Sequence, residues 1–112
     1  MTIGAEMIAK VVERLRALAD ETRIRLLLHL KQGPCNVSTL TAELGIAQAS
    51  VSKHLAILRH AGLVDVERRG SQAVYRVADE SVFEMCKLVC SGVIRHLQRQ
   101  QELLSSVKES SL

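Results

Sequence analysis

Two stretches of helix-periodic sequence stand three residues apart, and a strand-turn-strand pattern follows directly on the second. From about Ser38, Leu40 and Leu44 fall on one helical face, and Gly45 is placed to end that helix. After Gly45-Ile46-Ala47 a second helical pattern runs from Gln48 to about Ala61 and stops at Gly62. The period then changes from helix to strand. Val64-Asp65-Val66-Glu67-Arg68 alternates apolar and polar, Gly70-Ser71 forms a turn, and Ala73-Val74-Tyr75-Arg76-Val77 returns. A three-residue link leaves the two helices little choice but to cross, and the ribbon must leave from the end of the second.

Two helices joined by a glycine-containing turn and followed by a two-stranded ribbon spell a winged helix-turn-helix, a mainly α fold with a small β-hairpin. Two more helices precede it. Residues 5–18 carry Ile8, Val11, Val12, Leu15 and Leu18 at helical spacing. Asp20 suits the N-cap of the next helix, at roughly 20–32, which presents Ile24, Leu27, Leu28 and Leu30 and is stopped by Gly33-Pro34. Asp79 opens a last helix to about Val107, and the polar, Ser-rich 105–112 is expected to fray. That helix would be ~40 Å long. Its stripe of Val82, Cys86, Val89, Val93, Leu97 and Leu104 is longer than a domain this small can cover. The expected organisation is therefore one domain over 1–112. Residues 1–18 and 79–107 pair two copies, 38–61 form the helix-turn-helix and 63–77 the wing.

Charge points to the partner. Lys53, Arg59, Arg68, Arg69 and Arg76 against Asp65 and Glu67 give 5 − 2 = +3 between residues 48 and 76, and the whole chain is also +3. All the excess lies in one quarter of the sequence, as for a localised contact with double-stranded DNA. On a helical wheel Val51, Leu55 and Leu58 point inward. Ala49, Ser52, Lys53, Ala56 and His60 point outward, with Gln48 and Ser50 in the exposed first turn. Gln48, Ser50, Ser52, Lys53 and His54 on this helix, with Arg68 and Arg69 at the ribbon tip, are the candidate DNA-binding residues. Only Tyr75 and Phe83 are aromatic, which argues against a single-strand reader built on base stacking. No apolar run spans a bilayer and the N-terminus carries no export signal, so a soluble, cytoplasmic protein without a membrane partner is expected.

Leu18-Ala19-Asp20-Glu21-Thr22-Arg23-Ile24-Arg25-Leu26-Leu27 resembles the second-helix motif of the arsenical-resistance repressor (ArsR/SmtB) family. Gln48-Ala49-Ser50-Val51-Ser52-Lys53-His54-Leu55, with Leu58-Arg59-His60-Ala61-Gly62-Leu63-Val64, resembles that family's recognition helix and its exit. Gly70 with Tyr75-Arg76-Val77 resembles its wing. The likeness covers about residues 8–100. It implies a homodimeric repressor that binds an inverted-repeat operator and leaves it when an inducer binds, with Gln48, Ser52 and Lys53 in the groove and Arg68 and Arg69 in the wing. Ala49 departs from the family, which often carries Ser there.

The family's inducer sites do not map cleanly. A Cys-x-Cys pair at the third helix would fall near Asn36 and Ser38, where only Cys35 is at hand. A zinc-type site on the last helix would meet Glu84, Cys86, Leu97 and Gln100, with His96 one residue out of phase. What remains are Cys35, Cys86 and Cys90, the last two at i and i+4 on one face. They are candidate sensing thiols for arsenite, antimonite or another thiophilic ion, with no cofactor required for DNA binding itself. A reactive-sulfur or redox switch, and plain packing, are the alternatives. No Cys-x-x-Cys pair, Ser/His/Asp set or glycine-rich phosphate loop is visible, so an enzyme is not expected.

Overall fold

The computed structural model describes residues 2–110. Its elements run α1 (Ala5–Leu18), α2 (Glu21–Leu30), β1 (Cys35–Asn36), α3 (Val37–Leu44), α4 (Gln48–His60), β2 (Val64–Arg69), β3 (Gln72–Val77) and α5 (Ser81–Ser110). They fall into two compact units, one up to Asp79 and one from Glu80 on.

Caps set the ends of the helices in the first unit. Asp20 has an extended backbone and its carboxylate accepts from the Arg23 N–H at 3.0 Å, as its position in the sequence suggests. That hydrogen bond holds the Asp20 carboxyl below its ordinary pKa. Asn36 caps α3 through its side-chain oxygen and the Thr39 N–H at 2.8 Å, so α3 begins at Val37, slightly earlier than the apolar spacing indicates. Gly45 ends α3 in the left-handed region. Gly62, at φ 76°, closes α4 with a Schellman turn. The Leu63 N–H reaches the Leu58 carbonyl at 2.9 Å and the Gly62 N–H the Arg59 carbonyl at 3.0 Å. The apolar pair that accompanies such a turn, Leu58 and Leu63, is fully buried.

The core gathers Leu26, Leu27 and Leu30 from α2, Leu40 from α3, Val51, Leu55 and Leu58 from α4, and Leu63 and Val64 at the start of the ribbon. The expected inward face of α4 is thus observed. That of α2 is corrected: Leu26 takes the covered side, whereas Ile24 and Leu28 stay exposed. This helix is apolar on more than one side, and periodicity alone does not say which side is covered.

The ribbon pairs β2 with β3 antiparallel, from Val64 opposite Val77 to Arg69 opposite Gln72. A third strand not read from the sequence joins it. In β1, Cys35 lies opposite Tyr75 and Asn36 opposite Val74, giving the order β1-β3-β2. The two-stranded wing is thereby a small three-stranded sheet.

The second unit is α5, whose 30 residues extend for ~45 Å. Its helix starts at Ser81, two residues after Asp79, and the described part of the segment read as a frayed tail, 105–110, continues the helix. Residues 111 and 112 lie outside the described part. Val82 and Phe83 are buried, whereas Val89, Val93, Leu97 and Leu104 are each more than half exposed. Within the first unit, Ile8, Val11, Val12 and Leu15 of α1 form a second exposed apolar stripe. No helix of the described residues is long and apolar enough to cross a membrane.

Two measurements check this description. Leu26→Ala should lower stability by about 2–5 kcal/mol in denaturant unfolding, as for other fully buried leucines. Asp20→Ala should lower Tm at neutral pH. Because the folded carboxyl has a depressed pKa, its stabilisation is complete above the ordinary carboxylate range and vanishes as pH falls through the folded value, so the two melting curves should converge in acid.

Candidate nucleic-acid interface

The buried Val51, Leu55 and Leu58 turn the opposite face of α4 outward. Gln48, Ala49, Ser52, Lys53, Ala56 and His60 are exposed on it, and Ser50 is half-buried. Ala47 precedes the helix with extended backbone and offers no side-chain cap. The first-turn N–H groups therefore receive no capping bond from the side chain of Ala47. Small side chains at Ala49, Ser52 and Ala56 leave room for close approach, while Gln48 and Lys53 supply long polar ones.

His54 departs from the group assigned to it. Its side chain is only 15% exposed and turns back toward the start of α2. Its Nδ1 lies 3.1 Å from Nη1 of Arg23 and 3.8 Å from the Asp20 carboxylate. On the helical wheel His54 sits at the edge of the polar face. A guanidinium 31 residues away decides to which side it turns.

Further contacts tie α4 to α1. Arg14 donates to the Asp79 carboxylate at 2.7 Å and to the Ala61 carbonyl at 3.2 Å. Glu13 meets His60 at 3.2 Å. A Cβ at Gly62 would come within 3.1 Å of the Arg14 guanidinium. Asp79, expected to open the last helix, is thus also the acidic partner of α1.

The two wing arginines are not equivalent. Glu67 lies 3.3 Å from Arg69 and 3.1 Å from Arg76, so one carboxylate serves two guanidiniums. Strand alternation puts Glu67 and Arg69 on one face, and Arg76 reaches them from β3. Arg68 points to the other face, and its bond is a long one to the Ser71 carbonyl, 3.4 Å. The sequence reading counted Glu67 as charge and missed its role as internal counter-ion. The i, i+2 spacing of Glu67 and Arg69 on a strand was the available signal.

The three cysteines are free thiols. Cys35 is half-buried in β1, and desolvation raises its pKa despite hydrogen bonds from the Thr39 hydroxyl and the Asn36 N–H, keeping it a neutral thiol at pH 7. On α5, Cys86 is half-buried and Cys90 exposed, one helical turn apart. Among the described residues of one chain, no group of three or more His, Cys, Asp or Glu side chains is placed to hold a metal ion.

Glu67→Gln should free Arg69 and Arg76. Its affinity for random duplex DNA should rise, and log K should fall more steeply with log salt, by about one to two counterions. Folding stability should barely change, because exposed ion pairs contribute only ~0.2–1 kcal/mol. An unaltered salt slope would show that neither arginine reaches DNA.

Known proteins place this geometry. The model of the family described as "Bacterial regulatory protein, arsR family" matches residues 20–66. HTH-type transcriptional regulator CmtR of Mycobacterium tuberculosis is 45% identical over 78 residues, 69% of this chain and just under two thirds (66%) of that protein. HTH-type transcriptional regulator KmtR of the same organism is 39% identical over 113 aligned positions, covering 95% of this chain and 87% of the relative. Among solved structures, the homodimeric winged helix-turn-helix DNA-binding domain of a possible ArsR-family transcriptional regulator from Mycobacterium bovis superposes with a TM-score of 0.74 at 30% identity, covering 85% of this chain and 88% of that one. The fold is that of DNA-binding regulators rather than enzymes, and the chain belongs to the arsR family of bacterial regulatory proteins.

Proposed function

We propose that two copies of this chain bind an inverted-repeat operator as a transcriptional repressor and leave it when an inducer reaches thiols on α5. The observation that carries the DNA-binding part is the outward face of α4, where Gln48, Ser52 and Lys53 stand over a fully buried Val51, Leu55 and Leu58. Gln48, Ser50 and Ser52 are suited to base edges and nearby phosphates, Lys53 to guanine or phosphate, and Arg68 to the flanking backbone or minor groove. Arg69, held by Glu67, contributes less than Arg68. His54 acts from behind the helix.

Dimerisation is supported by the two uncovered stripes, on α1 and on α5, and by the homodimeric relative. Covering the exposed half of Val89, Val93, Leu97 and Leu104 stabilises by ~1 kcal/mol per side chain, which works against the entropy lost on association. Two recognition helices must then meet major grooves about one helical turn apart, so a small change of angle between protomers misplaces both. A coupling of ~1–3 kcal/mol between inducer and operator suffices for derepression.

The inducer is a thiophilic ion of the arsenite or antimonite kind, and Cys86 and Cys90 are its first ligands. At i, i+4 their Cβ atoms stand ~5–6 Å apart, wider than the ~3.8 Å a disulfide takes. A soft ion bonded to both sulfurs spans that gap without unwinding the helix, as would a bridging sulfur atom in the alternative reactive-sulfur reading. Cys35, held as a neutral thiol in the sheet, is the weakest candidate.

Lys53→Ala and Arg68→Ala should each weaken duplex binding and reduce the salt slope by about one. Undiminished affinity with an unchanged slope overturns the assignment. Cys86→Ser and Cys90→Ser should leave DNA affinity intact but abolish release by arsenite. Release that persists in both moves sensing off α5, and a single protomer in sedimentation removes the dimer.

A further inference from the structure

Arg23 joins three elements with one side chain. It leaves α2 in the first turn, where its N–H is already fixed by the Asp20 cap. Its Nε donates to the Ala17 carbonyl at 2.6 Å and its Nη2 to the Arg16 carbonyl at 3.0 Å, both at the end of α1. A guanidinium there also meets the negative end of the α1 dipole. Nη1 lies 3.1 Å from Nδ1 of His54, in the middle of α4. A guanidinium has only donors, so Nδ1 must accept, and the ring carries its single proton on Nε2. An imidazolium would place a second cation against the first and lose the acceptor. The Asp20 carboxylate also faces the ring, at 3.8 Å, and is already engaged with the Arg23 N–H.

We infer that His54 is a positioning residue: a neutral, Nε2-protonated imidazole that fixes α4 to the end of α1 through Arg23 and so sets how the recognition helix is presented. The angle between the helix that carries an exposed dimer stripe and the helix that faces DNA is then tuned by this donor–acceptor pair, at the opposite end of α1's contact with α4 from the Arg14 and Glu13 bonds to Ala61 and His60. Specific binding needs that angle and contact with an arbitrary duplex does not, so loss of the pair falls on selectivity. This inference rests on the DNA-binding reading above for its affinity measurements, and on no such reading for the state of the ring.

The ring is tested directly in the full chain by 15N NMR of the imidazole at neutral pH. A proton on Nε2 with Nδ1 bare is expected, and a proton on Nδ1 overturns the inference. Affinity is measured on an inverted-repeat duplex selected by the wild-type chain from a random-sequence pool, and on a scrambled duplex of equal length. His54→Leu should lose about tenfold on the selected duplex, the scale of an acceptor withdrawn from a charged donor, with the scrambled duplex unaffected. His54→Asn, whose amide oxygen replaces Nδ1, should stay within about threefold of wild type. Arg23→Lys, with one ammonium for three acceptors, should behave as His54→Leu does. If His54→Asn falls as far as His54→Leu, the imidazole itself touches DNA and the positioning role is wrong. If His54→Leu matches wild type, the pair does nothing for presentation. If the wild-type chain selects no duplex, the DNA-binding reading fails, while the NMR result still decides the state of the ring.

Discussion

Everything that faces outward in the first unit is held there by a small apolar cluster facing inward. Leu26, Leu40, Val51, Leu55 and Leu58 come from three successive helices and are wholly excluded from solvent. Removing any one leaves a cavity that neighbours on rigid helices fill poorly. Because α4 supplies three of them on one face, its rotation about its own axis is settled by burial. The polar side chains opposite need no support of their own to stand outward. The Schellman turn at Gly62 extends the same cluster into the ribbon through Leu58 and Leu63, so α4 and the wing share one core.

Around that cluster, charged side chains tune rather than build. Arg14 and Arg23 bind backbone carbonyls at the ends of α4 and α1, where unpaired oxygens collect. Glu67 partly neutralises the wing by pairing with Arg69 and Arg76 at once. Tolerance should differ accordingly, with core positions demanding volume and shape and charged ones demanding donors or acceptors in particular places.

Much of this was legible in the residues. The apolar spacing of α1 and α4, the Asp20 cap, the glycine stops and the alternation of the ribbon are local signals, and each appears where those signals put it. What was not legible depends on tertiary pairing. β1 is two residues long, too short for any period, and exists because β3 offers it an edge. Ile24 and Leu28 look as suited to a core as Leu26 does, and only the placement of α3 and α4 decides among them. His54 reads as part of the outward face until Arg23 is seen beside it. Of the candidate DNA-binding residues, those whose orientation follows from helical phase were the readable ones. The pairing of Glu67 with two arginines needed the register of the sheet.

Gly62 carries a consequence for how such a chain can change over time. Its φ of 76° disfavours any side chain, and even an alanine that accepted the strain would press its methyl group toward the Arg14 guanidinium, 3.1 Å away. Two unrelated penalties coincide at one residue, and relieving either alone leaves the other standing. A lineage descending from this sequence meets the backbone penalty alone at Gly70, where a Cβ would stand in open space, whereas at Gly62 the Arg14 side chain, bound to Asp79 and Ala61, would have to shift as well. The turn between α4 and the wing is in that sense an evolutionary ratchet.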